Sequence, residues 1–452
     1  MWRSSGWTPF DDAYMSHMSE ASLPKNDSPD KPEVTSDKSA TGGAIVLVAV
    51  LTTIYMISQF FRNSIGVIGP DLAREFDLDA RALSLLASIF FLSFAAVQIP
   101  LGMAIDRFGA RAAILATALV MIAGTAYFAL ARDFGDLVAA RLVIGLGCSS
   151  FLMAPLALYA ARFPARQFAT ITGLHVGGGN FGALAATAPL ALVAASMGWR
   201  VAFVIVGAIA CVALTLVFML VRESVAARAT RLAHAESVRE LAQGVVAATR
   251  VEGFWRIFLM QLATYPAFAA ILGLWSGPWL ADVYGMTVEA RGGVLFAMVL
   301  AQIAGLFFWG ASDRLFGSYK IPALMGAGLS AALLAYGALG PLPQGAVLPF
   351  VIALGFAFGF SPVLTAHSKS LFPARLIGRG LSLTNIAAIG GVFLQQIATG
   401  ALIALFPAQI IGGARAYPPE AYQLVFGFLA LEIVIAGLIY SRIRDPHPSK
   451  DH

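Results

Sequence analysis

Twelve long apolar runs, one after another, constrain this chain more than any other feature: 43–69, 82–105, 111–131, 137–159, 168–197, 201–221, 255–281, 293–311, 321–341, 346–368, 380–407 and 422–441. A run of about 20 apolar residues covers the hydrocarbon thickness of a bilayer as a helix. These runs are too long and too uniformly apolar for barrel strands, so each predicts a membrane-spanning helix, here numbered span 1 to span 12. The chain is 58% hydrophobic and 12% charged over 452 residues, with a mean hydropathy of +0.78, far outside the range of a soluble domain. The fold class that follows is all-α integral membrane.

The net charge of +5 does not indicate nucleic acid, because the basic residues sit in short loops between apolar runs. Their distribution sets orientation instead. Arg107, Arg111, Arg162, Arg166, Arg222, Arg228, Arg231, Arg239, Arg250, Arg256, Arg314, Lys320, Lys369, Arg375, Arg379, Arg442, Arg444 and Lys450 fall on one side of the predicted spans; Arg74, Arg81, Arg132, Arg200, Arg291 and Arg415 fall on the other. The richer side is expected in the cytoplasm, with both termini. Residues 1–42, polar and Pro-containing, are expected to be a disordered cytoplasmic tail. The bundle 43–221 is expected to be followed by a linker, 222–254, with an amphipathic helix and His234 as a solvated residue. A second bundle, 255–441, and a short tail, 442–452, complete the organisation. Cys148 and Cys211 lie in apolar runs, where they read as small hydrophobes and not as a disulfide.

Internal repetition supports two related halves. Span 2 leads into GMAIDRFGAR, with Gly102, Asp106, Arg107, Gly109 and Arg111; span 8 leads into GASDRLFGSYK, with Gly310, Asp313, Arg314 and Gly317. RFPAR after span 4 and LFPAR after span 10 repeat at nearly the same offset, which argues for duplication. At these residues the chain resembles the major facilitator superfamily, whose loop after span 2 reads G-x-x-x-D-R-x-G-R/K. Arg141, Gly145 and Gly147 also match that family's R-x-x-x-G-x-G pattern. The resemblance, over about 43–445, implies twelve helices in two pseudo-symmetric six-helix bundles that rock about a central path. It implies a gating role for Asp106, held against the start of span 11 near Arg379 to Ser382, and a weaker one for the degenerate loop of Asp313 and Arg314. A reading from the residues alone, as helix caps and topology signals, stays open beside it.

Polar residues inside spans are costly and point to function. Thr52, Tyr55, Gln59 and Arg62 share one face of span 1, which should line a cavity. A fixed guanidinium there suits a carboxylate, phosphate or sulfonate. Arg62 followed by Pro70, and Trp275 with Ser276, resemble the organophosphate antiporter group within the superfamily. That group's second arginine corresponds to Ala269, a departure that argues against a phosphate ester held twice and leaves a monoanion or an amphipathic organic acid open. Asn180, Gln395, Tyr265 and Trp275 are candidate substrate ligands, with interhelical bonding or an interfacial aromatic belt as the other reading. Arg141, His175 and Glu432 are candidate coupling groups; Arg141 also reads as a snorkelling residue and His175 as a neutral hydrogen-bonded one.

No Walker loop, metal-ligand spacing or serine elbow is present in the sequence, so no enzyme, metal or cofactor is expected. The expectation is a monomeric secondary transporter of the inner membrane, moving a small, anionic organic solute with a proton or counter-solute. An exporter of amphipathic compounds and a transporter-like sensor are the rivals.

Overall fold

The computed structural model describes residues 38–221, 238–411 and 414–445. Met1–Ala44 and Ile45–His452 are separate compact units, and the architecture below is that of the second. The expected tail, apart from the start of the first helix, lies outside the described residues, as do His234 and the last seven positions.

Eleven helices are long and apolar enough to cross a bilayer, and a bent pair completes the twelfth. In order these are Ile45–Glu75, the pair Ala80–Ala96 and Gln98–Phe108, Ala110–Ala129, Phe134–Arg162, Thr170–Met197, Trp199–Leu220, Phe254–Tyr284, Val288–Phe316, Lys320–Ala338, Gln344–Leu371, Ile377–Ile403 and Pro419–Tyr440. These are spans 1 to 12, and each agrees with an apolar run in the sequence.

Continuity is where the sequence reading needs correction. Span 2 bends by 44° at Val97. Span 4 breaks between Phe134–Cys148 and Met153–Arg162, span 5 between Ala165–Ala185 and Ala188–Met197, and span 10 at a 3₁₀ turn, Phe358–Phe360. The cause is common to all four. Pro100, Pro155, Pro189 and Pro362 each lie in the first turn of the second segment, where a missing N–H is tolerated, while the preceding turn loses its regular hydrogen bonding. Span 7 contains Pro266 and then a π-turn, Ile271–Trp275.

The two related loops share one backbone feature. Gly109 between spans 2 and 3 has φ 95°, and Gly317 between spans 8 and 9 has φ 57°, conformations that a side chain would strain. Gly145 and Gly147 in span 4 have a different reason. A Cβ at the first would overlap the Phe90 carbonyl of span 2, and at the second the Met121 backbone of span 3. The linker helix Val238–Thr249 packs through Ala248 on a small apolar cluster with Phe254, Phe372 and Leu376. A hairpin that the sequence reading did not foresee, Gln409–Ile411 paired with Ala414–Ala416, joins spans 11 and 12. Both cysteines are free; Cys148 is buried and Cys211 is exposed.

Candidate substrate path

At the end that carries Asp77 and Arg415, the two bundles are in contact. Spans 1 and 7 cross so closely that a Cβ on Gly66 would overlap the Leu272 carbonyl oxygen, and one on Gly277 would overlap the Gly66 carbonyl. Spans 2 and 11 meet in the same manner, with Gly400 against Ser84. Polar groups reinforce these crossings. Arg415 donates to both carboxylate oxygens of Asp77 at 2.9 Å, Arg291 lies 3.7 Å from Asp71, and the Ala80 N–H donates to the Tyr417 hydroxyl at 2.9 Å. The Arg415 hydrogen bonds hold the Asp77 carboxyl below the usual carboxylate range.

One turn from the glycine crossing, Arg62 reaches from span 1 toward the second bundle. It is 8% exposed. Nη1 is 3.4 Å from the Tyr265 hydroxyl of span 7, a long hydrogen bond, and the guanidinium lies 4.6 Å from the centre of the Phe94 ring. Its Nε has no hydrogen-bond partner, and among the described residues Arg62 makes no salt bridge. The Gln59 Oε1, on the same face, is also buried without a partner.

The other buried arginine of this bundle is satisfied. Arg141 is fully buried and donates to the carbonyls of Phe61 at 2.7 Å and of Leu86 and Ala87 at 3.3 Å, with its guanidinium 4.9 Å from the Phe90 ring centre. It does not snorkel to an interface. Phe90 stacks on Phe94, so the two guanidinium groups flank one aromatic pair. Acidic residues of spans 1 to 6 that the structure describes lie in end turns or loops: Asp71, Glu75, Asp77, Asp79, Asp106, Asp133 and Asp136. Among the described residues, the interior of this bundle therefore holds two arginines and no carboxylate.

His175 of span 5 is fully buried beside Tyr55, whose ring stacks on it at 5.0 Å. Nε2 is 3.2 Å from the Phe151 carbonyl, which can only accept, so that nitrogen carries the proton. Nδ1 is 3.1 Å from the Tyr159 hydroxyl, and the Thr52 hydroxyl lies 3.4 Å away. Both ring nitrogens therefore have partners.

Span 11 supplies side chains to the broken backbone of span 7. Gln396 donates to the Ala269 carbonyl at 3.4 Å beside the π-turn, and the Trp275 indole N–H donates to Thr399 at 2.8 Å. Gln395 donates to the Ala263 carbonyl at 3.2 Å and to Glu432 of span 12 at 2.6 Å. The Oε1 atoms of both glutamines are buried and unpartnered.

At the opposite, basic end a cleft of about 620 Å³ opens between the bundles. Its walls carry Gln98, Gly102, Asp106 and Arg107 from span 2, and Arg379, Ser382 and Asn385 from span 11, with Ile99, Met103, Met153, Leu383 and Ile386 making it mostly apolar. Gln98 is four residues beyond Phe94, the ring under Arg62. The bundles are thus parted at the basic end and in contact at the other.

Residues 51–395 match the sequence profile of the Major Facilitator Superfamily. The chain belongs to that family. Among solved structures, this facilitator shares its fold with a bacterial homologue of the human lysosomal transporter Spinster, at TM-score 0.71 and 19% identity over 88% of this chain and 96% of the other. A D-xylose–proton symporter gives 0.67 at 16% identity over 86% of this chain and 97% of the other. In sequence the facilitator is 25% identical to the 3-(3-hydroxy-phenyl)propionate transporter of Escherichia coli, over 73% of this chain and 80% of that one. It is 28% identical to a probable sulfoacetate transporter of Cupriavidus necator, over 36% of this chain and 38% of that protein's length. A hexuronate transporter of Bacillus subtilis is 24% identical over 37% of this chain and 40% of its own.

Of the residues singled out in the sequence, the facilitator brings together Arg62, Gln59, Tyr55 and His175 with Tyr265 across the bundle interface. Asn180 stands apart, its amide turned to the Val176 carbonyl of its own helix. Gln395 faces span 12. Arg111 donates to the Phe218 carbonyl at 2.8 Å, within its own bundle, and Asp313 accepts from the Arg314 N–H. Phe94, Gln396 and Arg291 were not foreseen. Gln396 was visible as a second intramembrane glutamine, whereas an apolar Phe94 carries no signal.

Proposed function

We propose that this facilitator is a secondary active transporter that carries a small organic anion by alternating access, driven by the proton gradient. Its basic end would face the cytoplasm across the inner membrane. Arg62 carries the reading: it is a buried cation between the bundles, with an unpartnered Nε, one long hydrogen bond and no acid beside it. Burying such a group is costly unless an anion completes it. A carboxylate or sulfonate would supply acceptors to the open guanidinium edge and offset the second cation, Arg141. Tyr55, Tyr265 and Phe94 surround that point with rings, and the cleft at the basic end is largely apolar. The substrate class best suited is a monoanion with an apolar or aromatic body. The relatives named for a phenylpropionate and for sulfoacetate fit this class, and the better-covered alignment is with the first.

The closed Asp77 end and the open basic end are the arrangement expected of one of two alternating states. Opening the first would require breaking the glycine crossing and the Asp77–Arg415 pair. Asp106 and Arg379, on facing walls of the cleft, are placed to take part when the basic end closes. For coupling, the Gln395–Glu432 contact is a candidate because protonation of the carboxylate would weaken the hold of span 12 on span 11.

The test is a thermal-stability screen of purified protein against 3-phenylpropanoate, sulfoacetate, glucuronate, amines and neutral sugars, repeated with Arg62→Ala. Stabilisation by the anions in wild type and its loss in the variant are expected. Stabilisation by amines or sugars that survives the substitution would sink the reading. It would favour instead an exporter of amphipathic compounds, for which the apolar cleft is the supporting observation. Uptake into proteoliposomes with and without a pH gradient tests coupling.

A further inference from the structure

Beyond the glycine crossing, on the far side from Arg62, lies a second cavity of about 350 Å³. Its floor is Trp275 and Pro278, its walls include Pro70, Ala73 and Leu83, and its charged lining is Arg74, Arg291 and Arg415 with Asp79 and Asp282. Pro70 follows Arg62 by eight residues, which at helical rise places that wall roughly 12 Å farther along span 1.

Arg291 is the feature that needs an explanation. It is 4% exposed, it lines the cavity, and its Nε and Nη2 have no hydrogen-bond partner. Nη1 donates to the Met286 carbonyl at 3.1 Å, and the nearest carboxylate, Asp71, is 3.7 Å from Nη2, beyond hydrogen-bond reach. The other acids are committed. Asp282 accepts from the Tyr417 N–H at 2.9 Å and the Tyr422 hydroxyl at 2.5 Å, Asp79 caps span 2 through the Ala82 N–H, and Asp77 holds Arg415. Asp71 is shared with Arg74 at 3.6 Å. A buried guanidinium with two unpartnered donors beside a cavity calls for a ligand with paired acceptor oxygens.

We propose that this cavity is a second organic-anion site, stacked above the Arg62 site across the seal, with Arg291 as its anchor and Arg74 and Arg415 in its lining. The proposal rests on the anion reading of Arg62, since both sites would take the same carboxylate or sulfonate on its way through. Moving between them would then require only that the spans 1 and 7 crossing part.

The experiment is calorimetric titration of the full chain in nanodiscs with 3-phenylpropanoate and, separately, with inorganic sulfate. Wild type should show two classes of site. Arg62→Ala should keep one, and Arg291→Gln should weaken that one at least tenfold. Ala73→Phe, which fills the cavity without removing a charge, should do the same and guards against misfolding of the Arg291 variant. If Arg62→Ala abolishes all binding while Arg291→Gln and Ala73→Phe leave wild-type affinity unchanged, the cavity holds water alone and the second site is wrong, with the first intact. If sulfate binds and 3-phenylpropanoate does not, Arg291 takes an adventitious ion only, which also overturns the proposal. No binding by wild type overturns both readings.

Discussion

Arg62 and Arg141 are two buried arginines of one bundle, and their surroundings assign them opposite work. Arg141 has three carbonyl acceptors on spans 1 and 2, so truncation removes bonds that tie those helices to span 4. Arg141→Met should therefore lower stability by about 1–3 kcal/mol, read as a fall in melting temperature in lipid, while leaving Arg62 able to bind. Arg62→Met removes a buried charge that lacks full partners, and such removals are often neutral or stabilising. Its melting temperature should stay level or rise while anion-dependent stabilisation disappears. A large loss of stability in Arg62→Met would mean that the residue is structural. The polar stripe of span 1 made Arg62 legible in the sequence, because four polar residues at helical spacing stand out against apolar neighbours. Arg141 was ambiguous there, since nothing in a sequence marks which distant carbonyls a guanidinium will reach. His175 was equally open until Phe151, Tyr159 and Thr52 came together around it.

The glycine positions act at the level of whole helices. Gly66 and Gly277 allow spans 1 and 7 to meet backbone to backbone, and the π-turn in span 7 sets the phase at which they do so. Gly66→Ala puts a methyl group where the Leu272 carbonyl now lies, so the seal should no longer close fully. Distance measurements between labels at the Asp77 end should show a population shifted to larger separations. Gly293→Ala, in span 8 with nothing within 4 Å of the added carbon, should leave the distribution as in wild type and serves as the control. Unchanged distances in Gly66→Ala would remove the crossing from the gate. Span existence and order were readable from hydropathy because lipid demands length and apolarity. The breaks were not read, although Pro100, Pro155, Pro189 and Pro362 were in view: a proline permits a break but does not say whether neighbours or a redirected helix will absorb it. The hairpin pairing Gln409–Ile411 with Ala414–Ala416 is too short to stand out beside the long apolar runs, although Ile410 and Ile411 are followed by Gly-Gly, and it now places Arg415 against Asp77.

Across the whole molecule the two ends oppose one another, and the Asp77–Arg415 pair is the part of that balance most open to solvent. Both carboxylate oxygens accept from Arg415, which lowers the Asp77 pKa relative to the unfolded chain. The sign follows directly. A carboxyl with a depressed folded value contributes fully above its ordinary pKa of about 4 and loses that contribution as pH falls through the lower one. The latch should thus be insensitive to pH between neutrality and about 5 and weaken only below about 4. Asp77 is 76% exposed, so the effect will be small and screened by salt. A cysteine introduced at Ala281, inside the second cavity, should react with a membrane-impermeant maleimide faster in Asp77→Asn than with Asp77 intact, by less than about fivefold, at pH 7. The same acceleration should appear with Asp77 intact at about 1 M salt, where the Debye length falls to about 3 Å. A physiological acid pulse to pH 6 should produce none of it, because Asp77 stays ionised there. Acceleration at pH 6 would place the proton that opens this end on another group, and the Gln395–Glu432 contact would then be the first to substitute, by Glu432→Gln.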